Sequence, residues 1–194
     1  MTLLANRAKT VIAAGYFGGL PLGQAGALLV DPPWFFTTYS DKGRKKSADR
    51  HYPCMAVEEI KALPVATLCA PDCALHLWTT QAFAEIAMGV MNAWGFTFSC
   101  MGGWAKQSKT GRKWHFGTGH VLRSAAEFYL VGKRGHPRRK SRSERNLIVA
   151  PVREHSRKPD EIYDQIEALW PGPYVELFAR HQRKGWFSWG DELR

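Results

Sequence analysis

Short apolar runs alternate with segments of helical periodicity along most of this chain. The runs predict buried strands at residues 27–31, 73–78, 96–104, 126–133, 146–151 and 174–178. Helical patterns lie between them at residues 56–63 and 81–94, and a further helix begins at Pro159. Strands that alternate with helices in this way are typical of an α/β fold with a mainly parallel sheet. Because the pattern has no internal repeat and no obvious linker, we expect one domain over residues 1–194.

Two of the predicted helices have clear boundaries. In the first, apolar residues fall on one face before Gly95 supplies the stop, and that face comprises Phe83, Ile86, Ala87, Val90 and Trp94. The later helix has a proline at its first position, and acidic residues follow at the positive end of its dipole. Its buried stripe is predicted to consist of Ile162, Ile166 and Leu169.

The charge balance indicates a polyanionic partner. The 194 residues include 27 lysines and arginines but only 17 acidic residues, which gives a formal charge of +10. Nucleic acid is the first candidate for such a protein. Most of the basic residues lie in three predicted loops, at 32–53, 105–124 and 133–145, and ligands of open α/β sheets bind where such loops emerge. We therefore expect the three loops to flank one site and to contact phosphates through Lys45, Lys46, Lys106, Lys109, Arg112, Lys113, Arg138, Arg139, Lys140 and Arg142.

Cysteines, histidines and hydropathy narrow the classes of function. Four scattered cysteines are too few for a disulfide framework, so we expect free thiols in a reducing compartment. The seven histidines are dispersed without zinc-ligand spacing, which argues against a metal-dependent hydrolase, and no metal site is predicted. No apolar run is long enough to cross a bilayer, and glycines interrupt the N-terminal apolar stretch. A cytoplasmic protein without membrane association is expected.

The stretch "LLVDPPW", residues 28–34, contains the most informative chemistry. A buried strand ends there in Asp31, and Pro32 and Pro33 have no N–H groups, so they end the sheet and present rigid carbonyl acceptors. Trp34 offers a flat face. Two fixed acceptors beside a ring suit a planar amine with two N–H bonds, such as the N6 amine of adenine. Holding both hydrogens would free the nitrogen lone pair to attack an electrophilic methyl group.

Three motifs in fixed order resemble one enzyme family. "DPPW" at 31–34 precedes "HSRKPDEIYDQIEAL" at 155–169 and "VELFAR" at 175–180, and together they resemble the MT-A family of N6-adenine methyltransferases. The resemblance extends from about Ala27 to Asp191. It implies a Rossmann-like α/β fold dependent on S-adenosylmethionine, with a mostly parallel sheet, helices on both faces and a permuted motif order.

The resemblance also implies a role for each matching residue. Those implied as catalytic are Asp31, Pro32, Pro33 and Trp34. The base pocket would contain Trp34, Tyr52 and Trp104, although Trp104 could instead be a core residue. Contacts to S-adenosylmethionine are implied for Asp31, Lys158, Glu176, Phe178, Arg180, Gly190 and Asp191, although Glu176 could instead be a buried pairing residue. Asp191 departs from the family, which usually has asparagine there, and an aspartate cannot donate a hydrogen bond to the cofactor.

The predicted function is methyl transfer to adenine N6 in nucleic acid, with DNA favoured over RNA. One alternative is a catalytically inactive nucleic-acid-binding partner subunit of the same family, which the altered "WGDE" segment keeps open. A second is cytosine C5 methylation through the Pro-Cys pair in "YPC", residues 52–54. That chemistry leaves "DPPW" without a role. The intact "DPPW" motif favours the active adenine enzyme.

Overall fold

A seven-stranded sheet organises the protein. The computed structural model describes residues 15–35, 54–119, 121–154 and 156–193. Across the sheet the strands lie in the order β5-β3-β4-β2-β1-β6-β7. Their bounds are Ala25–Val30 (β1), Cys69–Thr79 (β2), Thr97–Gln107 (β3), Ala126–Arg134 (β4), Leu147–Pro151 (β5), Tyr174–Leu177 (β6) and Trp186–Trp189 (β7).

Strand β4 is the one strand of this sheet that runs against the others. It pairs antiparallel with β2 and β3, whereas the β1–β2, β1–β6, β6–β7 and β3–β5 pairs are all parallel. Six strands therefore end at the same edge, which we term the carboxyl edge, and β4 begins there. The predicted, mostly parallel Rossmann-like architecture is confirmed.

Helices cover both faces of the sheet, as expected. In the described part of the chain the bounds of the longer helices are Val57–Ala62 (α1), Ala84–Ala93 (α2) and Glu161–Leu169 (α3). Alternate residues of β1 point to opposite faces: Leu28 and Val30 pack in a cluster with α1 and α2, and Ala27 and Leu29 pack in a cluster with α3. Because every residue of β1 is buried, this strand occupies the centre of the fold, and its end is a fixed point.

Several local predictions need correction. Strand β7 was not predicted, because its four residues are too few to show a period of two. On α2, Ile86 is 38% exposed and Met91 takes its place on the buried face. Helix α3 begins at Glu161 rather than at Pro159.

The expectation that three basic loops flank one site is wrong for the last of them. Because β4 is antiparallel, it ends at Arg134 on the edge opposite to the carboxyl edge, and β5 begins there. The segment between them therefore lies away from Asp31. It contains the predicted phosphate contacts Arg138, Arg139, Lys140 and Arg142. Lys140 also donates a hydrogen bond from its Nζ to the Glu167 carbonyl oxygen at 2.5 Å.

No helix among the described residues is both long enough and apolar enough to cross a bilayer.

Replacing Gly102 by alanine is expected to destabilise the fold by about 1–3 kcal/mol. The Tyr129 ring lies across Gly102, so a Cβ atom there would overlap the ring of this buried tyrosine. Gly89→Ala on α2 is the matched control, because its Cβ would have only the Lys61 Cε atom near it, at 3.8 Å. That change should be neutral or stabilising by up to about 1 kcal/mol. Urea denaturation measures both, and equal effects of the two substitutions would contradict the packing described.

Candidate active site

Asp31 lies directly after β1 at the carboxyl edge, and Lys158 holds its carboxylate. The Lys158 Nζ atom donates a hydrogen bond to Asp31 Oδ2 at 2.7 Å. Lys158 lies in the segment between β5 and α3, 127 residues away in sequence. The fold therefore brings together the "DPPW" motif and the "HSRKPDEIYDQIEAL" motif through one charged contact.

This contact belongs to an array of four alternating charges. Lys158 Nζ also lies 3.4 Å from Glu127 Oε2, and Lys106 Nζ lies 2.6 Å from Glu127 Oε1. Lys106 is near the end of β3 and Glu127 near the start of β4, so antiparallel β4 brings its acidic residue to the carboxyl edge. The four side chains are between 15% and 30% exposed, where ion pairs are screened less than at the surface.

The pKa values of the two carboxylates in the array are shifted in opposite directions. Burial raises the pKa of Asp31 above its ordinary value, and Lys158 only partly offsets this. Burial acts in the same sense on Glu127, but Lys158 and Lys106 together outweigh it and hold the pKa of Glu127 below its usual range. Glu127 is therefore the stable counter-ion of the two lysines, and Asp31 is the carboxylate with the greater tendency to take up a proton.

Glu176 forms a second buried carboxylate on the same side of the sheet. It lies on β6, is 8% exposed, and accepts hydrogen bonds from the Tyr163 hydroxyl at 2.9 and 3.0 Å. Burial raises the pKa of Glu176 to about 7, opposed by the Tyr163 hydrogen bond and reinforced by the charge of Asp31. Tyr163, on α3, fixes the direction of this carboxylate.

The Asp-Pro-Pro-Trp segment is held by its own backbone and by the core. The Pro32 carbonyl accepts a hydrogen bond from the Trp34 N–H at 2.8 Å, and the Pro33 carbonyl accepts one from the Met55 N–H at 2.9 Å. A carbonyl oxygen has two lone pairs, so Pro32 retains acceptor capacity next to Asp31. The segment therefore provides two acceptors with little freedom to move.

The two tryptophans predicted for the base pocket are core residues. Trp34 is 5% exposed, stacks on Phe83 at 5.5 Å between ring centroids, and donates its indole N–H to the Trp78 carbonyl oxygen at 3.2 Å. Trp104 is 3% exposed and donates its indole N–H to the Ala150 carbonyl oxygen at 2.8 Å. Among the described residues, neither ring lines the two cavities at Asp31 that are described below. We therefore correct both predicted roles, because each ring is enclosed by side chains and its N–H is already satisfied.

Two cavities meet at Asp31. The larger has a volume of about 340 Å³, and the smaller, of about 90 Å³, contains Pro32 and Pro33. Both are lined by Asp31, Phe178 and Arg180. The larger also contains Lys158, Glu176, Tyr163 and Trp78. Five of the seven predicted cofactor residues thus line one cavity.

The other two predicted cofactor residues lie beside the smaller cavity. Asp191 is on its wall, next to Glu192, which lies 3.4 Å from Arg180. Gly190 passes so close to the 178–179 backbone that a Cβ atom would overlap the Ala179 carbonyl oxygen. Gly190 therefore permits a close chain crossing, whereas Asp191 adds negative charge to the wall.

Among the predicted phosphate contacts, Lys106 is wrongly assigned because it is half-buried and paired with Glu127. Lys109, Arg112 and Lys113 are exposed in the loop that follows β3 at the carboxyl edge. Tyr52, Lys45 and Lys46 lie outside the described residues.

Sequence reasoning missed three residues of the site, namely Glu127, Tyr163 and Trp78. Glu127 begins an apolar strand, but only the direction of β4 shows that this end faces Asp31. Trp78 ends the apolar run "LHLW", just as Asp31 ends the run "LLVD". Because parallel strands end at the same edge of a sheet, this matching position could have indicated that Trp78 lies near Asp31. Tyr163 stands within the quoted motif at 155–169, which was the available signal, although a tyrosine in the first turns of a helix indicates no role by itself.

Replacing Glu176 by glutamine is expected to flatten the pH dependence of stability. A carboxyl group whose pKa is higher in the folded chain binds its proton more tightly there, so the free energy of unfolding falls as pH rises from the unfolded value of 4.5 to about 7. At about 1.4 kcal/mol per pKa unit, the loss is at most about 3.5 kcal/mol. Urea titrations at about pH 5 and about pH 8 measure it.

Glu85→Gln, at an exposed position on α2, is the control and should retain the wild-type decline. Part of the decline should remain in Glu176→Gln, because the pKa of Asp31 is also raised by burial. A Glu176→Gln variant with the full wild-type decline would contradict the assignment.

Comparisons with known proteins agree with this geometry. The MT-A70 family model matches residues 26–192. An N(6)-adenosine-methyltransferase MT-A70-like protein of Arabidopsis thaliana is 34% identical over 89% of this chain and 24% of its own length. The N(6)-adenosine-methyltransferase catalytic subunit METTL3 of Homo sapiens is 32% identical over 89% of the chain and 29% of its own length. Type II methyltransferase M.MunI of a Mycoplasma species is 31% identical over 91% of the chain and 81% of its own length.

The chain spans 23–27% of the length of the three plant relatives that it matches. It covers most of M.MunI, and the family model extends over nearly all of this chain. The chain therefore belongs to the MT-A70 family.

Proposed function

We propose that this protein transfers a methyl group from S-adenosylmethionine to the N6 amine of adenine in nucleic acid. The observation that carries the proposal is the position of Asp31. Its carboxylate lies where two cavities meet, is held by Lys158 at 2.7 Å, and is followed by two prolines whose carbonyls cannot move far. The family relatives named as N(6)-adenosine-methyltransferases support this assignment.

The larger cavity fits the chemical groups of the cofactor. Lys158 and Arg180 on its wall are cations that suit a carboxylate, and Glu176 is a buried acceptor that suits the hydroxyl groups of a ribose. Tyr163 keeps the Glu176 carboxylate in place through its hydroxyl group. When bound, S-adenosylmethionine supplies the electrophilic methyl group.

The chain's own residues act on the amine. The Asp31 carboxylate and the Pro32 carbonyl accept its two N–H bonds, which localises the lone pair on nitrogen and directs it toward the larger cavity. Lys158 keeps the Asp31 carboxylate in the accepting orientation. After transfer the amine must lose one proton, and Asp31, whose pKa burial raises, can take it up and pass it to water.

The substrate is proposed to be a polynucleotide. The net charge of +10 and the exposed cations Lys109, Arg112 and Lys113 at the carboxyl edge favour a polyanion that reaches the site from that side. We favour DNA over RNA, because the relative of comparable length is a type II methyltransferase.

A second candidate is an inactive partner subunit that binds nucleic acid. The specific observation in its favour is the acidic wall of the smaller cavity, where Glu192 lies 3.4 Å from Arg180 and Asp191 is adjacent. Acidic groups there compete with the cofactor for Arg180. Calorimetry with S-adenosylmethionine separates the candidates, because only the enzyme requires the cofactor to bind.

Asp31→Ala is expected to lower the rate of methyl transfer by at least about 100-fold, since it removes one of two oriented acceptors. Methyl-labelled S-adenosylmethionine is incubated with separate pools of single-stranded DNA, duplex DNA and RNA, which are digested to nucleosides and identified by mass. N6-methyladenine should form in at least one pool with the wild type. The affinity of the variant for the cofactor should stay within a few-fold of the wild-type value.

Asp72→Ala is the matched control, because it removes an exposed aspartate at the start of β2, far from the carboxyl edge. It should leave transfer unchanged. Loss of cofactor binding in Asp31→Ala would show that the aspartate is a cofactor or structural residue, and wild-type turnover in that variant would refute the proposed role.

Removing the cations of the loop after β3 is expected to impair transfer more than removing the same charge from the opposite edge. The first variant replaces Lys109, Arg112 and Lys113 by alanine, and its control replaces Arg138, Arg139 and Arg142. The first should lower kcat/KM about tenfold or more and reduce the slope of log affinity against log salt by about 2, since about three phosphate contacts are lost.

The control variant should change kcat/KM by less than about threefold if its loop lies away from the substrate path. An equal loss in both variants would show that the substrate contacts both edges of the sheet.

A further inference from the structure

Two aromatic side chains are exposed in the loop between β3 and β4, at the carboxyl edge. Trp114 is 60% exposed and Phe116 is 55% exposed. Among the described phenylalanines, tyrosines and tryptophans, these two have the most exposed side chains. The mechanism proposed above uses neither of them.

Backbone hydrogen bonds hold this part of the loop. Trp114 forms an antiparallel bridge with Gln107 at the end of β3, and the His115 N–H donates to the Lys106 carbonyl oxygen at 2.9 Å. The Gly117 N–H donates to the Ser124 carbonyl oxygen at 2.8 Å. The two rings are therefore attached to a backbone that is tied to the sheet, and Lys106, in the charge array, is one of its attachment points.

Positive charge surrounds the rings. The segment 105–125 contains no acidic residue. Three cations stand within the five positions before Trp114, namely Lys109, Arg112 and Lys113. The Arg123 guanidinium lies 5.0 Å from the centroid of the Phe116 ring and donates to the Gly117 carbonyl oxygen at 3.0 Å. Exposed flat rings among cations provide stacking faces for bases and contacts for phosphates.

We propose that Trp114 and Phe116 stack on unpaired bases that flank the target adenine. The inference rests on the proposed function and adds the form of the substrate, a single-stranded or locally unpaired polynucleotide. A base in a duplex already stacks on its neighbours and has no free face for a side chain, so only an unpaired strand can use both rings. The charge of the segment selects a polyanion over an apolar or acidic partner.

The test compares Trp114→Ala and Phe116→Ala with Phe98→Ala as the matched control. Phe98 is 42% exposed at the beginning of β3, so it is a comparably exposed ring at the opposite edge of the sheet. Fluorescence anisotropy measures the affinity for a labelled single-stranded oligonucleotide with one central adenine. We expect each loop variant to weaken binding about tenfold, and Phe98→Ala to change it less than about twofold.

A second oligonucleotide isolates the stacking contribution, because its flanking nucleotides are abasic and keep their phosphates. Wild-type affinity should fall about 100-fold on this strand, the product of the two single losses, and the doubly substituted variant should show no further loss. The ratio of variant to wild-type affinity should also be the same at low and high salt, because stacking releases no counterions.

Four results would overturn the inference: unchanged binding in the loop variants, an equal loss on duplex of the same sequence, an equal loss on the abasic strand, or dissociation of a wild-type dimer by the substitutions in sedimentation. The last would assign the surface to a second copy of the chain, with Val121 and Leu122, at 93% and 73% exposure, as part of it.

The proposed function is tested separately, by N6-methyladenine formation in the wild type. If the wild type methylates adenine but the loop variants bind normally, the stacking inference alone fails. If the wild type forms no N6-methyladenine while the stacking pattern is observed, the proposed function alone fails.

Discussion

The hydrogen-bonded ion pair between Lys158 and Asp31 is the contact on which the rest of the site depends. Asp31 directly follows β1, every residue of which is buried, and Lys158 precedes α3, the helix that packs with Ala27 and Leu29 of β1. Because Asp31 is largely removed from water, although its side chain is still 30% exposed, its charge is stabilised by a partner at close range. Lys158 supplies that partner and itself needs Glu127, which in turn is neutralised by Lys106. Each charged side chain of the array thus stabilises the charge of its neighbour, although all four are partly buried.

The direction of one strand makes this array possible. Had β4 been parallel to its neighbours, Glu127 would lie at the far edge, and two lysines would face Asp31 without a second carboxylate. The same reversal carries the segment 135–146 away from the site and leaves the loop after β3 beside it. One topological feature therefore sets both the electrostatics at Asp31 and the edge at which the proposed polynucleotide substrate would reach it.

The sequence was sufficient to predict much of the fold and most of the residues that gather around the larger cavity, and the reason is visible in the residues. Buried strands such as β1 are continuous apolar runs, and Asp31, Lys158, Glu176 and Arg180 stand in motifs whose order is distinctive. These elements depend on local pattern, which a single chain displays directly.

What could not be predicted depends on direction, burial and short length. Trp34 and Trp104 are flat rings near the right strand ends, but whether a ring faces a cavity or the core is decided by its neighbours in space. Strand β7 was too short to be recognised. The antiparallel course of β4 has no local signature, so the position of Glu127 and the remote position of Arg138 and Arg139 followed only from the pairing of strands.

Methyl transfer to the adenine amine is tested most directly by identifying the atom that receives the methyl group. Single-turnover transfer from labelled S-adenosylmethionine is followed on three oligonucleotides that differ at one position, where the first has the only adenine, the second has purine without the amine, and the third has cytosine. Label is expected on the adenine strand alone, and digestion to nucleosides should locate it on the N6 atom of adenine. Label on the strand that lacks the amine, or equal label on cytosine, would contradict a site built to hold the adenine amine between Asp31 and Pro32.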